Sequence, residues 1–358
     1  MVVFLDLHVG LSLLKGLDLP GAELAFTDSY NAAKSEENHF IAADAAGKLA
    51  LLLMLDGRFT DGVSWYKRCF EHAYAAPWGA ALIRRCGSLA KGLWQLQQLN
   101  YSGLSETLRE LKSHHQDLLW EIELYLSSAV EMFYYIAPNS VTTARQALEQ
   151  SEYQFSPLGE LFLSNTVEMA RFDQGLTGEL ESRPTLTTIL FALQINHPDA
   201  AARLLHLMPQ QHPLGMWNRM LEAVKAYLRA DDDIPLPELA AQYRHLGIGS
   251  DSLLEALLVS QFPGSREVYK HLGLSEAESS LLTQIGEQWS ATLEEAPQLT
   301  PREQAVLDLL RQGLSRTEIA AKTFRSENTV KAQIRSLYRK LDASNRDQAL
   351  RRARIFGL

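Results

Sequence analysis

The sequence predicts an all-α protein built in two unequal parts. Apolar residues recur at helical spacing through almost all of residues 1–291, and no segment there reads as a strand. Short clusters of Pro, Gly, Asn and Asp break that pattern at intervals. The charge then changes sign along the chain. The whole carries −9, but residues 299–358 hold 13 Lys and Arg against 6 Asp and Glu, a net of +7. The preceding 298 residues hold 21 bases against 37 acids, a net of −16. A basic end on an acidic body points to binding of a polyanion by that end alone.

Taken in order, the start MVVFLDLHVGLSLLKG is apolar but lacks a basic leader and contains Asp6 and His8, so it reads as a packed helix rather than a signal peptide. No apolar run approaches the roughly 18–20 residues of a membrane helix, which predicts no membrane partner. Two cysteines, Cys69 and Cys86, form no disulfide framework, and a reducing cytoplasm is the expected compartment.

Breaks in the body fall at Leu19-Pro20-Gly21, Asp56-Gly57, Tyr101-Ser102-Gly103, Pro138-Asn139, Gly175 to Gly178, His197-Pro198, Pro209 to Pro213, Asp231 to Pro237 and Pro263-Gly264. The helices between them form stacked αα-hairpins. In one hairpin, Leu49, Ala50 and Leu53 lie on the first helix and Gly57 and Phe59 at the turn. Gly62, Tyr66 and Cys69 lie on the second helix. Small residues at 50 and 62 allow close approach, and the two aromatic rings fill the space beside them. This spacing resembles a tetratricopeptide repeat. Stacked hairpins curve into a superhelix whose concave face suits a peptide or small ligand.

Cys69 and His72 share a helix face and Cys86 lies on the next helix, but a structural zinc site needs four ligands and no fourth has sensible spacing, so no metal is expected. His114-His115 reads as a solvated or capping pair, and Asp231-Asp232-Asp233 as a solvated loop. Trp65, Trp78, Trp94, Trp120 and Trp217 belong to the core or to a ligand groove. No G-x-x-x-x-G-K-[ST] occurs, and no nucleophile or paired-carboxylate motif stands out, so the expectation is a non-enzyme without cofactors. Residues 292–298 form the linker, where Glu294 and Glu295 end a helix poorly and Pro297 discourages helix at Ala296.

The basic end predicts four helices. Thr300 caps the first, with Pro301 in its first turn and Glu303 completing a capping box; it runs to about Gln312 and ends at Gly313. Ser315 and Glu318 form a second capping box for a short helix reaching Lys322. Thr323 to Arg325 connects it to a third helix, capped by Ser326 and running from about Glu327 to Leu341. Val330, Ile334, Leu337 and Leu341 mark the buried stripe of that helix. Asn328, Ala332, Arg335 and Arg339 fall on the opposite face, with Lys331 and Thr329 on its shoulders. A fourth helix starts after Ser344, with Asp347 three residues on, and reaches about Phe356.

These residues resemble the LuxR-type DNA-binding domain: Leu299-Thr300-x-Arg302-Glu303, Val306-Leu307, Gly313-x-Ser315, Glu318-Ile319-Ala320, Ser326, Thr329-Val330-Lys331, Lys340-Leu341, Arg346 and Ala349. Ala305, Arg316, Thr323 and Gln333 depart from the residues common in that family. The resemblance implies a helix-turn-helix, with Lys331 and Arg335 as base contacts in the major groove of double-stranded DNA and Ala332 permitting close approach. Ser326, Asn328, Thr329, Arg339 and Lys340 complete the expected DNA-binding set, mainly as phosphate anchors. It further implies that Ala349, Leu350 and Ala353 on the fourth helix pair two copies as a homodimer on DNA, besides closing the small core. A helical-hairpin body joined to such a domain is similar to the C-terminal part of MalT-like activators, without their ATPase module.

The expected fold is therefore a TPR-like helical-hairpin superhelix, residues 1–291, a linker at 292–298, and a small four-helix LuxR-type domain at 299–358. The expected function is a bacterial transcription regulator whose body senses a ligand or protein partner, with RNA polymerase a further candidate partner. The alternative is a scaffold or anti-activator that works through protein–protein contacts and binds DNA weakly.

Overall fold

One turn geometry, repeated, builds the first half of the body. Leu17, Glu37 and Gly57 have φ of 68°, 52° and 78°, twenty residues apart, and Leu99 repeats the conformation at 55°. In each turn the next residue reaches back across the end of the preceding helix. Asp18 N–H donates to the Leu13 carbonyl at 2.9 Å, and Asn38 to Ala33, Arg58 to Leu53 and Asn100 to Gln95 at 2.8 Å. This left-handed cap satisfies carbonyls that the helix end leaves open. In three of the turns the same residue's side chain then caps the next helix. Asp18 accepts from Gly21 N–H at 3.0 Å, Asn38 from Ile41 N–H at 3.2 Å and Asn100 from Gly103 N–H at 3.1 Å.

The computed structural model describes residues 2–76, 80–111, 119–134, 155–173, 185–194, 198–230, 235–291, 299–323 and 325–341, with 343, 345, 346, 349, 350 and 353. The turns above join α1 (Val2–Lys15), α2 (Leu19–Ser35), α3 (His39–Leu55) and α4 (Phe59–Ala75), and α5 (Ala80–Gln97) to α6 (Tyr101–Leu111). Then follow α7 (Trp120–Tyr134), α8 (Pro157–Asp173), α9 (Leu186–Gln194), α10 (Pro198–Leu207), α11 (Gly215–Arg229), α12 (Leu236–His245), α13 (Leu253–Ser260) and α14 (Glu276–Ala291). Short 3₁₀ turns at Ser250–Ser252 and Val268–His271 flank α13. Among the described residues there is no strand, and no helix is long and apolar enough to cross a membrane.

Two expected breaks are helix starts instead. Leu19-Pro20-Gly21 and Tyr101-Ser102-Gly103 form the first turns of α2 and α6, because Asp18 and Asn100 cap them. The breaks at 138–139 and 175–178, His197, Asp231 to Asp233, His114-His115, Trp78 and the 292–298 linker lie outside the described residues.

Helix α3 is the centre of the body. Its sequence HFIAADAAGKLALLLML has no polar face, and Ala45 to Leu55 are all buried. A helix apolar all round must be covered all round, and α2, α4 and α5 pack on it. The hairpin of α3 and α4 has the expected close contact: a Cβ on Gly62 would lie 2.9 Å from the Met54 methyl. Ala50, Phe59 and Cys69 are buried there, and Tyr66 is half-buried. The period of twenty residues per helix makes a hairpin of about forty, longer than the roughly 34 of a tetratricopeptide.

The later helices fold back onto the earlier ones. Gly215, first residue of α11, sits so close to the turn between α3 and α4 that an added Cβ would fall 2.1 Å from the Asp56 carbonyl oxygen. Arg219 donates to the Gly57 carbonyl and to Glu255 Oε1, both at 3.0 Å, and lies over the Phe59 ring at 4.6 Å. Thr60 donates to Asp251 at 2.8 Å and Gln98 to the Ser250 carbonyl at 3.0 Å. Where an open groove was expected, α5, α7, α8, α9, α11 and α13 converge on a cavity of about 90 Å³. The C-terminal helices have a separate apolar core.

Candidate nucleic-acid interface

The C-terminal unit begins with α15 (Pro301–Arg311), α16 (Arg316–Lys322) and α17 (Glu327–Lys340). Each has the side-chain cap that its sequence specifies. Thr300 N–H donates to Glu303 Oε2 at 2.8 Å while Glu303 N–H donates to the Thr300 hydroxyl at 3.3 Å. Ser315 and Glu318 repeat the arrangement at 2.7 and 3.3 Å. Thr329 N–H donates to Ser326 Oγ at 3.2 Å. Such reciprocal caps satisfy N–H groups that no helical carbonyl reaches. Gly313, at φ 87°, ends α15 as expected.

The core under these helices is small and continuous. Val330, Leu337 and Leu341 are fully buried against Val306, Leu307, Leu310, Ile319 and Ala320, and Ile334 packs at the edge. Ala349, Leu350 and Ala353 complete the same core, with Ala349 and Ala353 wholly inaccessible. Within one chain these side chains close the core, as expected of them. Ser344 and Asp347, the expected cap of the fourth helix, lie outside the described residues.

Burying that stripe turns the opposite face of α17 outward. Ser326, Asn328, Lys331, Ala332, Arg335 and Arg339 are exposed, and Thr329 is half-buried. Among the described residues no ion pair engages Lys331, Arg335 or Arg339. Their charges therefore face solvent on one side of one helix. Beside them a cleft of about 540 Å³ runs between the start of α15 and α17, lined by Thr300, Arg302, Thr329, Ala332 and Ser336. Arg302 is exposed at its rim, a basic residue that the helix pattern of α17 alone could not place there.

Lys340 stands apart from the other bases. Its ammonium lies 2.7 Å from Glu303 Oε2, and the Ser336 hydroxyl donates to Glu303 Oε1 at 2.9 Å. Its charge is thus matched inside the domain. Burial alone would raise the Glu303 carboxyl. Lys340, the Thr300 N–H and hydroxyl, and Ser336 outweigh that effect and hold it down at about 2. Glu327 also has partners within the domain, at the other end of α17. Arg316 lies 3.4 Å from its carboxylate and the Thr317 hydroxyl donates to it at 3.1 Å. The acid at the head of the helix is thereby tied to α16. Arg346 donates to the Leu310 carbonyl and, at 3.4 Å, to the Gly313 carbonyl, anchoring the last segment to the end of α15.

In the body, the residues weighed as metal ligands have other surroundings. Burial pushes the Cys69 thiol up to about 12 and the Cys86 thiol up to about 11, which leaves both unreactive. His72 accepts or donates at 2.9 Å to His39 and at 3.2 Å to the Tyr30 hydroxyl. Trp65 stacks edge-on against Tyr30, and Trp217 is buried beside the internal cavity.

Residues 297–353 match the family described as "Bacterial regulatory proteins, luxR family". The C-terminal unit is a helix-turn-helix domain of that family. Two curated relatives are each 46% identical over 56 residues, which is 16% of this chain and 26% of the relative. They are the "Probable csgAB operon transcriptional regulatory protein" of Salmonella typhimurium and the "CsgBAC operon transcriptional regulatory protein" of Escherichia coli. The chain thus spans about a quarter of the length of the relatives it matches. No solved structure matches the chain.

Proposed function

We propose that the protein regulates transcription by placing α17 in the major groove of operator DNA. The single observation that carries this reading is the outward face of α17, where Lys331, Arg335 and Arg339 stand exposed around Ala332 on a helix held at both ends by caps and ion pairs. A helix with one small residue between long bases can come close to the duplex and still reach the acceptors of guanine. Lys331 and Arg335 make the base contacts. Ser326, Asn328, Thr329, Arg339 and Arg302 hold the backbone phosphates. Lys340 acts indirectly, by fixing α17 to α15 through Glu303.

The acidic body is the sensory part, and an effector acts by favouring one arrangement of the chain over another. Two copies bind together on DNA, with recognition helices about 34–36 Å apart, and the domain acts on transcription beside RNA polymerase. The fourth helix, with Ala349, Leu350 and Ala353, is where the two copies pair, besides closing the core of each. No step of this reading requires catalysis.

The test is the double substitution Lys331→Ala, Arg335→Ala in the full chain, followed by promoter occupancy and target transcription in cells. Both are expected to vanish together. Regulation that persists without occupancy would instead favour a scaffold acting through protein contacts.

A further inference from the structure

Two imidazole rings meet where the start of α3 touches the end of α4. His39 is the first residue of α3, and His72 lies in the last turn of α4. Their Nδ1 atoms are 2.9 Å apart and their ring centroids 5.2 Å apart. The two separations differ by the width of one imidazole ring, half of it from each side. Both nitrogens therefore stand close to the line between the rings, with their lone pairs aimed at each other. That alignment fits a straight N–H···N bond. It leaves no room for a metal ion, which would need about 2.0–2.1 Å to each nitrogen. His72 is held from its far side as well. Its Nε2 is 3.2 Å from the hydroxyl of Tyr30 on α2, and the Tyr30 ring packs edge-on against both His72 and Trp65. Tyr30 is buried and His39 is exposed. The ring of His72 is thus fixed, while that of His39 can turn into water.

We propose that His39 and His72 form an acid-sensitive clasp, which holds one proton between its facing nitrogens and opens when both rings are charged. A neutral pair already needs one N–H between the two Nδ1 atoms, and a singly charged pair keeps it. With two charges, two N–H groups face each other and no acceptor remains. His39 then swings outward, and α3 loses this tie to α4. The surrounding groups do not cancel the effect. Burial, and then His39, hold His72 below its ordinary value; Glu71 on α4 opposes them and Lys34 on α2 adds to them. Glu36 and Glu37 in the preceding turn are exposed, and Arg68 on α4 stacks over Trp65. Asp44, further along α3, is paired with Lys48, and Arg84 on α5 acts on Cys69. In the unfolded chain the two rings take up two protons near about 6.5. The folded pair takes up one there and the second only at lower pH. The unfolded state thus binds more protons, so the contribution of the clasp is present above about 6.5 and is lost as pH falls. The clasp works within the body and does not depend on how α17 meets DNA.

NMR titration of the full chain with ¹³C-labelled histidine, from about pH 8 to 4.5, tests this directly. His39→Gln and His72→Gln identify the two signals. The pair is expected to titrate in two steps separated by at least about one pH unit. In His39→Gln, His72 is expected to titrate in one step, above the second step of the pair. Amide exchange at Ile41 and Ala42, whose N–H groups bond to Asn38 at the start of α3, reads the opening. Their protection is expected to fall about tenfold per pH unit below about 6 in the natural protein, and to stay level in His39→Gln. Single-step titration of each ring at its ordinary value would overturn the proposal. So would an equal fall in protection with and without His39.

Discussion

Glu303 closes the first turn of α15, receives the Ser336 hydroxyl and neutralises Lys340. Replacing it by Ala removes a cap worth about 1 kcal/mol and leaves a half-buried ammonium without its partner, a total loss of about 2 kcal/mol in the C-terminal domain. Urea unfolding followed by circular dichroism measures it. The same residue sets an acid limit. Its carboxyl is held at about 2 against an ordinary value of 4.5, so the folded state binds the proton less tightly than the unfolded one. The stabilisation is complete above 4.5 and is lost as pH falls from there toward 2. In Glu303→Gln that part of the acid dependence disappears. The capping role of Glu303 was legible in the sequence, because Thr300 and Glu303 are three residues apart. Its bond to Lys340 was not, since 37 residues separate them and only the packing of α17 on α15 joins them. For the same reason Lys340 read as one more surface base.

At the scale of the element, the turn at Glu36-Glu37-Asn38 shows what a pattern of breakers misses. It has neither Gly nor Pro, yet Glu37 adopts φ 52°. The signal present was Asn38 as a cap, together with the equal spacing from Leu17 to Gly57. A left-handed conformation costs a non-glycine residue about 1 kcal/mol. Glu37→Gly is therefore expected to stabilise the body by about 0.5–1 kcal/mol, less the added freedom of glycine in the unfolded chain, seen as a higher midpoint in thermal melts. Gly215 predicts the opposite. Gly215→Ala puts a methyl group against the Asp56 carbonyl and must push α11 away from the turn between α3 and α4. A loss of about 2–4 kcal/mol in the body is expected, with the C-terminal domain unchanged, as read by hydrogen exchange of the two parts. By contrast, α17 was legible almost residue by residue, because a buried stripe, a cap and a basic face all specify the same rotation of the helix.

For the whole molecule, composition divided the chain before any element was placed. The acidic body and the basic end have separate apolar cores. What composition could not show is that the body folds back on itself, because Arg219 and Gly57, or Thr60 and Asp251, meet across more than 160 residues. Local periodicity predicts hairpins and is silent on such long-range closure. Stacking alone would have left an open concave face; the contacts of α11 and α13 narrow part of it to a cavity of about 90 Å³.

The central claim, that the exposed face of α17 engages the phosphates and bases of duplex DNA, is tested most directly by the salt dependence of binding. Affinity of the full chain for a duplex is measured from about 50 to 200 mM salt, for the natural protein and for Arg339→Ala. The account predicts a steep negative slope of log affinity on log salt, reduced by about one unit in Arg339→Ala. A slope near zero, or one that the substitution leaves untouched, would contradict it.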